Sequence, residues 1–169
     1  SKWRNGVGEI SADYIDELLP KGFGGIRKEA EQHISELNEA IPEDRKKIDF
    51  YKSIILVCEG MIDLGHRYAD KARAMAETEK DEKRKAELLQ IAEICSVIPE
   101  KAPETFREAI QFVWFVQLGG ILSENPLAWN PGRFDQYMFP YYDKDLKAGK
   151  ITRDEALELI QLLWLKYSE

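Results

Sequence analysis

Hydrophobic residues recur along most of the chain at intervals of three and four positions, a spacing that predicts a succession of amphipathic helices. Between about residues 43 and 76, Ile48, Tyr51, Ile55 and Cys58 keep this spacing. No alternating pattern typical of strands interrupts the series, so the predicted fold class is mainly α. The other predicted helices cover about residues 11–19, 26–40, 79–98, 105–123, 142–148 and 152–169.

The helix predicted between Thr105 and Ser123 is apolar on every side. The capping-box pattern Thr105-x-x-Glu108 marks its start. A helix of this kind must be buried all round or inserted into a membrane. Its apolar run, Phe112 to Leu122, is shorter than the roughly 20 residues that a membrane span requires. We therefore expect a buried helix, which one domain of this size would enclose only with difficulty.

The segment 123–142 combines prolines, a glycine and aromatic residues, and we predict it to be one Pro/Gly-rich loop. Pro126 and Pro131 bias the residues before them away from helical geometry. Arg133 and Asp135 lie two positions apart, a spacing that does not bring side chains together on a helix. We expect each of the two charges to find its own partner. We predict that a short helix then ends at Gly149, which forms a left-handed cap.

Composition narrows the range of partners. Lysine and arginine number 24 against 31 acidic residues, a net charge of −7 that argues against a nucleic-acid partner. Cys58 and Cys95 lie in helical patterns without metal or redox spacing and are interpreted as buried, reduced thiols, which favours a cytoplasmic location. His33 and His66 have no companion at metal-ligand spacing, so no metal site is predicted. The Lys21-Gly-Phe-Gly-Gly stretch lacks the rest of a phosphate loop and is interpreted as the glycine-rich start of a helix.

Longer sequence patterns resemble a known family. Pro131-Gly-Arg-Phe-Asp-Gln-Tyr-Met-Phe-Pro-Tyr-Tyr142, together with Thr105-Phe-Arg-Glu-Ala-Ile-Gln before it and Ile151-Thr-Arg-Asp-Glu-Ala-Leu after it, is similar to the pyruvate formate-lyase-like glycyl radical enzymes. Weaker similarity extends upstream through Ser11-Ala-Asp-Tyr14 and Leu19-Pro-Lys-Gly-Phe. The resemblance implies that residues 1–169 are a helical outer segment of an α/β barrel.

In that family, a glycyl radical near the C-terminus passes hydrogen-atom abstraction to a cysteine in a loop of the barrel. Neither loop has a counterpart here: Val57-Cys58-Glu59-Gly60 has a similar composition to the cysteine loop but the wrong order, and no glycine has the radical context. We therefore expect a catalytically inactive fragment of an anaerobic lyase that cleaves C–C, C–O or C–heteroatom bonds. The resemblance also implies a small-molecule substrate, a homo-oligomer, and an activating enzyme that uses S-adenosylmethionine and an iron–sulfur cluster.

The same resemblance supplies candidate substrate-binding residues. Tyr51 and Glu59 are eight positions apart and about 80° apart around a helix, so both can face one cavity; for Glu59 an exposed or ion-paired position on the helix is the alternative. Where dehydratases that act on hydroxylated substrates often carry His-Ser, this chain has Leu127-Ala128, which favours an apolar or aromatic substrate. The remaining candidates are Asn125, Arg133 and Asp135, with structural pairing as the alternative for the two charges.

A second interpretation is an autonomous helical structural or interaction module without enzymatic activity. The last predicted helix reaches Glu169 without a cap, which we interpret as the end of a cut chain rather than of a complete module. A fragment should expose the Phe112–Leu122 helix, whereas a module should be a compact monomer with a cooperative unfolding transition.

Overall fold

The computed structural model describes residues 9–12, 14–124 and 128–168 and confirms a mainly helical chain. Two short strands, which the pattern did not predict, pair in parallel with Glu9 opposite Ala128 and Ser11 opposite Asn130. Each strand has only three residues, too few for an alternating pattern to be visible in the sequence. The elements in chain order are β1 (Glu9–Ser11), a π-helical turn (Tyr14–Leu18), α1 (Leu19–Ser35), α2 (Pro42–Thr78), α3 (Glu82–Cys95), α4 (Phe106–Glu124), β2 (Ala128–Asn130), α5 (Phe134–Lys147) and α6 (Arg153–Tyr167).

The chain divides into two compact units. The first, here called the hairpin unit, is Pro20–Ala102 and contains most of α1 with α2 and α3. The second, here called the loop unit, combines Ser1–Leu19 with Pro103–Glu169 and therefore contains the two strands and α4 to α6. All the candidate residues after position 123 belong to the loop unit, whereas Tyr51 and Glu59 belong to the hairpin unit.

In the hairpin unit, α2 packs along α3. Small residues on α2, such as Ala69, Ala72 and Ala76, are buried, and so are Leu88 and Ala92 on α3. Asp81 caps the start of α3 by accepting a hydrogen bond from the Arg84 amide. The sequence predicted a new helix at this point, and the structure assigns the cap to Asp81.

In the loop unit, α4 is the buried centre. Phe112, Val113 and Phe115 are fully buried, as the all-round apolar pattern predicts. Only the last turns open to solvent, where Ile121 is 39% and Leu122 is 67% exposed. The expectation that a chain of this size would leave the Phe112–Leu122 helix exposed is therefore wrong for most of its length.

One helix boundary differs from the prediction because proline was taken as a stop. Near Pro20 the predicted break is confirmed close to its predicted place, since α1 is interrupted at Gly22, whose φ of 65° and ψ of 170° are not helical. Pro140 lies inside α5, which begins at Phe134 rather than near Tyr142. The predicted loop 123–142 is therefore shorter than expected, since its aromatic second half is helical and buries Tyr137 and Met138. The left-handed conformation predicted for Gly149 is confirmed by its φ of 65°.

Within the described residues, no helix combines the length and the hydropathy that crossing a bilayer demands.

Candidate functional site

The turn between β2 and α5 has a well-defined backbone. The Asn130 side-chain carbonyl accepts a hydrogen bond from the Gly132 amide at 2.8 Å. Gly132 itself has a φ of 65°, a conformation that glycine adopts without strain. The Tyr137 hydroxyl then reaches back from α5 and donates to the Pro131 carbonyl oxygen at 2.8 Å. These contacts therefore fix the position of Arg133 at the start of α5.

Arg133 and Asp135 bind each other at the start of α5. The Arg133 Nε and Nη2 donate to the two carboxylate oxygens of Asp135 at 3.0 and 2.8 Å. The prediction that each would find its own partner is wrong, because the two residues straddle the helix start, where the spacing rule for a regular helix does not hold. Hydrogen bonds from Arg133 lower the pKa of the Asp135 carboxyl, and the same pairing raises the pKa of the Arg133 guanidinium.

This ion pair is exposed, since the side chains are 66% and 68% accessible. An exposed, internally neutralised pair stabilises a protein little. It also leaves no unpaired charge of its own for a substrate carboxylate. In this chain, Arg133 and Asp135 form the structural pair that the sequence left open as an alternative, and a role in substrate binding stays a prediction.

Tyr137 connects the turn between β2 and α5 to the interior of the loop unit through ring contacts. Its ring stacks on Tyr14 with 4.8 Å between centroids, and Phe134 meets it edge-on at 5.6 Å. Burial raises the pKa of the Tyr137 hydroxyl well above its usual value, so that the hydroxyl stays a hydrogen-bond donor. Sequence reasoning grouped this residue with the other aromatic side chains of the segment and did not predict its hydrogen bond to the turn. A signal was present, because a tyrosine one to two helical turns after Pro131-Gly132 is well placed to bond back to the turn.

Tyr51 and Glu59 occupy α2 of the hairpin unit, about 12 Å apart along its axis on standard helical geometry. Tyr51 is half-buried and stacks on the His33 ring at 4.9 Å, with Phe50 edge-on at 5.8 Å. Glu59 is exposed, which is the alternative that the sequence left open for it. Their assignment as pocket residues stays a prediction.

Three candidates follow α4. Asn125 and Leu127 lie outside the described residues. Ala128 is described by its backbone alone, as the first residue of β2, where it is the partner of Glu9 in the parallel ladder. The hypothesis that Leu127 and Ala128 form an apolar wall of a pocket therefore rests on the sequence alone.

Cys58 and Cys95 are free thiols, each buried inside the hairpin unit, as predicted. Burial raises the pKa of each thiol to about 11, with Arg27 partly opposing the shift at Cys58. A thiol of this kind stays protonated and poorly reactive near neutral pH. Cys58 thus has the properties of a packing residue in α2 rather than those of a radical carrier in a loop.

The glycine-rich stretch at the start of α1 binds the protein's own backbone. The amides of Phe23 and Gly24 donate to the carbonyl oxygens of Pro99 and Glu100 at 3.1 and 2.8 Å. A Cβ at Gly22, whose φ is 65°, would lie 2.5 Å from the Glu100 carbonyl oxygen. These amides are therefore occupied by the turn after α3, which agrees with the interpretation of a helix start rather than a phosphate loop.

Asp145 is a buried carboxylate that sequence reasoning missed. It lies in the last turn of α5, where a negative charge opposes the helix dipole, and it is only 3% exposed. Its Oδ2 accepts a hydrogen bond from the Phe106 amide at 2.7 Å, so it caps the start of α4 across 39 residues of sequence. Its unfavourable place at a helix end was a usable signal. The neighbouring Lys144 adds a hydrogen bond from Nζ to the Glu104 carbonyl oxygen at 2.9 Å.

The residues that the structure describes do not fit a metal ion or an iron–sulfur cluster. Among the described positions, no three histidine, cysteine, aspartate or glutamate side chains converge as a cation site requires. The two thiols are buried and protonated, whereas cluster ligands are thiolates. No chemical step can be assigned to such a group in this part of the chain.

Comparisons with known proteins extend over nearly all of these elements. The family model described as "Pyruvate formate lyase-like" matches residues 1–169. Trans-4-hydroxy-L-proline dehydratase of Clostridioides difficile is 42% identical over 90% of this chain and 20% of its own length. For isethionate sulfite-lyase of Oleidesulfovibrio alaskensis the identity is 39%, over 90% of this chain and 19% of that protein. The crystal structure of a glycyl radical enzyme from Archaeoglobus fulgidus superposes with a TM-score of 0.91 and 39% identity, covering 97% of this chain and 21% of its own.

Proposed function

Because the chain belongs to the pyruvate formate lyase-like family, we propose that it forms a helical part of a glycyl radical lyase and has no activity alone. The carrying observation is the superposition on a glycyl radical enzyme over 97% of this chain with a TM-score of 0.91. The chain spans about a fifth of the length of the relatives that it matches. The reaction and the partners described below therefore belong to the complete protein.

Residues 1–169 supply scaffold rather than reacting groups in this proposal. A radical lyase of this family needs a glycine that stores the radical and a reactive cysteine next to the substrate. The two cysteines of this chain are buried, with thiol pKa values of about 11. We propose that the cysteine loop and the glycine loop are contributed by other parts of the complete protein.

The proposed substrate is a small molecule from which a bond to carbon is cleaved. The names of the two relatives describe the removal of water and of sulfite, so family membership leaves the leaving group open. Leu127 and Ala128 favour an apolar or aromatic body on the substrate, and Tyr51, Glu59, Asn125, Arg133 and Asp135 remain candidate pocket residues. Replacing Leu127-Ala128 by His-Ser in the complete enzyme should lower kcat/KM for aromatic substrates, and unchanged kinetics would contradict this assignment.

The proposed cofactor is a radical stored on a glycine of the complete enzyme. It would be installed by a separate activating enzyme that uses S-adenosylmethionine and an iron–sulfur cluster. Because oxygen destroys carbon radicals of this kind, we propose that the source cell is anaerobic. We propose a cytoplasmic location from the reduced thiols and a homo-oligomer from the family resemblance.

The proposal is tested by electron paramagnetic resonance on the complete protein. After anaerobic incubation with its activating enzyme, S-adenosylmethionine and a reductant, the complete protein should show an organic radical signal, and residues 1–169 treated in the same way should show none. A complete protein that never acquires the signal with a competent activating enzyme would contradict the proposal. So would substrate turnover by residues 1–169 alone.

A further inference from the structure

Helix α2 carries two apolar strips along its length. The first is buried within the hairpin unit and includes Ile48, Cys58 and Ile62. The second, here called the α2 seam, remains half-buried or exposed. Its large side chains are Phe50, Ile54, Val57, Met61, Leu64 and Tyr68, with Met75 two turns further along. Phe50 and Val57 are the most open of them, at 61% and 62% exposure.

The α2 seam has the spacing of a coiled-coil helix. Its residues follow one another at alternating steps of four and three positions, and only Lys71 interrupts this heptad repeat before Met75. On helical geometry the seven apolar residues lie within an arc of about 80°, which between Phe50 and Met75 contains no other residue except the small, buried Ala72. A strict heptad strip predicts one partner helix that packs along its whole length. That length, from Phe50 to Met75, is about 38 Å.

We propose that the α2 seam binds the α2 seam of a second copy of this chain in an antiparallel, twofold-symmetric pair. This inference rests on the proposed function and names the contact surface of the homo-oligomer. A partner helix for a strip of this length needs about 26 residues. Among the helices that the structure describes, α2 with 37 residues is the only one longer than 19. A twofold axis lets both copies bury the same surface.

The antiparallel register follows from aligning the two ends of the seam. When the first residue of one seam lies opposite the last residue of the other, every apolar residue except one faces another apolar residue. The resulting pairs, each formed twice, are Phe50 with Met75, Val57 with Tyr68, and Met61 with Leu64 of the second copy.

The one charge in the heptad strip selects the antiparallel direction. In a parallel pair in register, Lys71 would lie opposite Lys71 of the second copy, and like charges at this distance repel. In the antiparallel pair, Lys71 lies opposite Ile54 of the second copy. Asp49 of that copy is then about 8 Å further along the axis on the same side, where it attracts the ammonium group. A single polar residue in a coiled-coil strip commonly fixes orientation in this way.

The size of the strip sets the expected affinity. Together with the positions that flank it, the α2 seam comprises about 15 residues of each copy. A standard interface between proteins takes about 20 to 30 residues from each side. We therefore expect dissociation in the micromolar range when the seam is the whole interface.

The test compares two neighbouring substitutions on α2 of the complete protein by sedimentation over a range of concentrations that spans the micromolar. Val57→Glu should raise the dissociation constant of the dimer about tenfold or more, because it places a charge in an apolar contact. Leu56→Glu is the matched control. Leu56 is 68% exposed but points about 100° away from Val57, so this variant should dimerise like the parent. Circular dichroism should show the same helix content in all three proteins, since both positions are exposed.

A second substitution tests the antiparallel register. Because Val57 faces Tyr68 of the second copy, adding Tyr68→Lys to Val57→Glu creates two opposite-charge pairs across the axis. The double variant should therefore dimerise more tightly than Val57→Glu alone. Absence of any recovery would contradict the antiparallel pairing.

Three other outcomes would overturn the proposal. A complete protein that stays monomeric at every concentration has no seam dimer, and one whose dimer tolerates Val57→Glu associates through another surface. Val57→Glu that lowers the thermal midpoint of a monomeric protein would show that the same polypeptide covers the seam.

Failure of this inference is distinguishable from failure of the proposed function. A complete protein that forms the radical but dimerises equally well with Val57→Glu contradicts only the α2 seam. A complete protein whose dimer is broken by Val57→Glu but that never acquires a radical contradicts only the function.

Discussion

Helices α4 and α6 begin with the same local signal, and their surroundings differ. In α4 the Glu108 amide donates to Thr105 Oγ1 at 3.2 Å, and in α6 the Glu155 amide donates to Thr152 Oγ1 at the same distance. Both helices continue with apolar residues on several sides. This chain covers α4 along most of its length, whereas it covers only one side of α6.

The difference shows what an apolar pattern can and cannot specify. The periodicity of apolar residues indicates how many sides of a helix must be buried, because this number depends on the side chains of that helix. It does not state which segment provides the cover. For α4, the described chain provides it, and Phe112, Val113 and Phe115 are fully buried. On α6, by contrast, Leu157, Leu162, Trp164 and Leu165 remain about half exposed or more.

The largest expected effect on the free energy of unfolding distinguishes α4 from α6 by truncating one large side chain on each helix. Phe112→Ala should lower the free energy of unfolding of the 169-residue chain by about 3–5 kcal/mol, because it opens a cavity at a fully buried ring. Leu165→Ala should change it by less than about 0.5 kcal/mol, as is usual at exposed positions. Urea denaturation of the two variants beside the parent measures both values. Similar losses for the two variants would remove the distinction between α4 and α6.

A smaller effect is expected when the side chain of Asp145, which caps α4 from α5, is removed. Asp145→Ala should cost about 1–3 kcal/mol in the same denaturation experiment, because the buried Phe106 amide loses its acceptor. Asp145→Asn keeps a side-chain oxygen of the same shape and should retain part of this stability. The cap assigned to Asp145 would be wrong if the alanine variant unfolded like the parent.

The sequence predicted local structure well wherever the deciding residues are neighbours. Both capping boxes and the left-handed Gly149 depend on residues within one turn, and the structure confirms them. The prediction was wrong at Pro140, which lies inside α5. The effect of a proline on a helix depends on its position in that helix and on the packing around it. The rule that proline ends a helix takes neither into account.

The candidate site was less predictable because its geometry depends on contacts across the chain. The Arg133–Asp135 pair forms at a helix start whose position the sequence did not give. Tyr137 acts through Pro131 and Tyr14, and the second of these is 123 positions away in sequence (137 − 14 = 123). Asp145 likewise meets an amide 39 residues earlier. Long-range partners of this kind are not encoded in helical periodicity.

The capping boxes allow a finer comparison through pH. Hydrogen bonds from Thr152 lower the pKa of the Glu155 carboxyl below its usual value. A depressed folded-state pKa contributes stability that is present above the unfolded pKa and lost as the pH falls through the folded value. Acid titration of stability should therefore show a component below pH 4.5 that Glu155→Gln lacks. Thr152→Ala should cost about 1 kcal/mol at neutral pH, the usual value of an N-cap. Identical acid profiles for the parent and Glu155→Gln would contradict this assignment.

The smallest effect is expected for the Arg133–Asp135 pair, which is the most exposed contact of the candidate site. Hydrogen bonds from Arg133 lower the pKa of Asp135, so the pair contributes above the unfolded carboxylate pKa and is lost on acidification. At this exposure, solvent and salt screen the attraction. Arg133→Gln should therefore leave the denaturation midpoint unchanged at neutral pH, and NMR titration should show the Asp135 pKa returning toward its usual value. A large loss of stability in Arg133→Gln would mean that Arg133 is held by a contact other than Asp135, and the Arg133→Gln, Asp135→Asn double variant would then show the same loss.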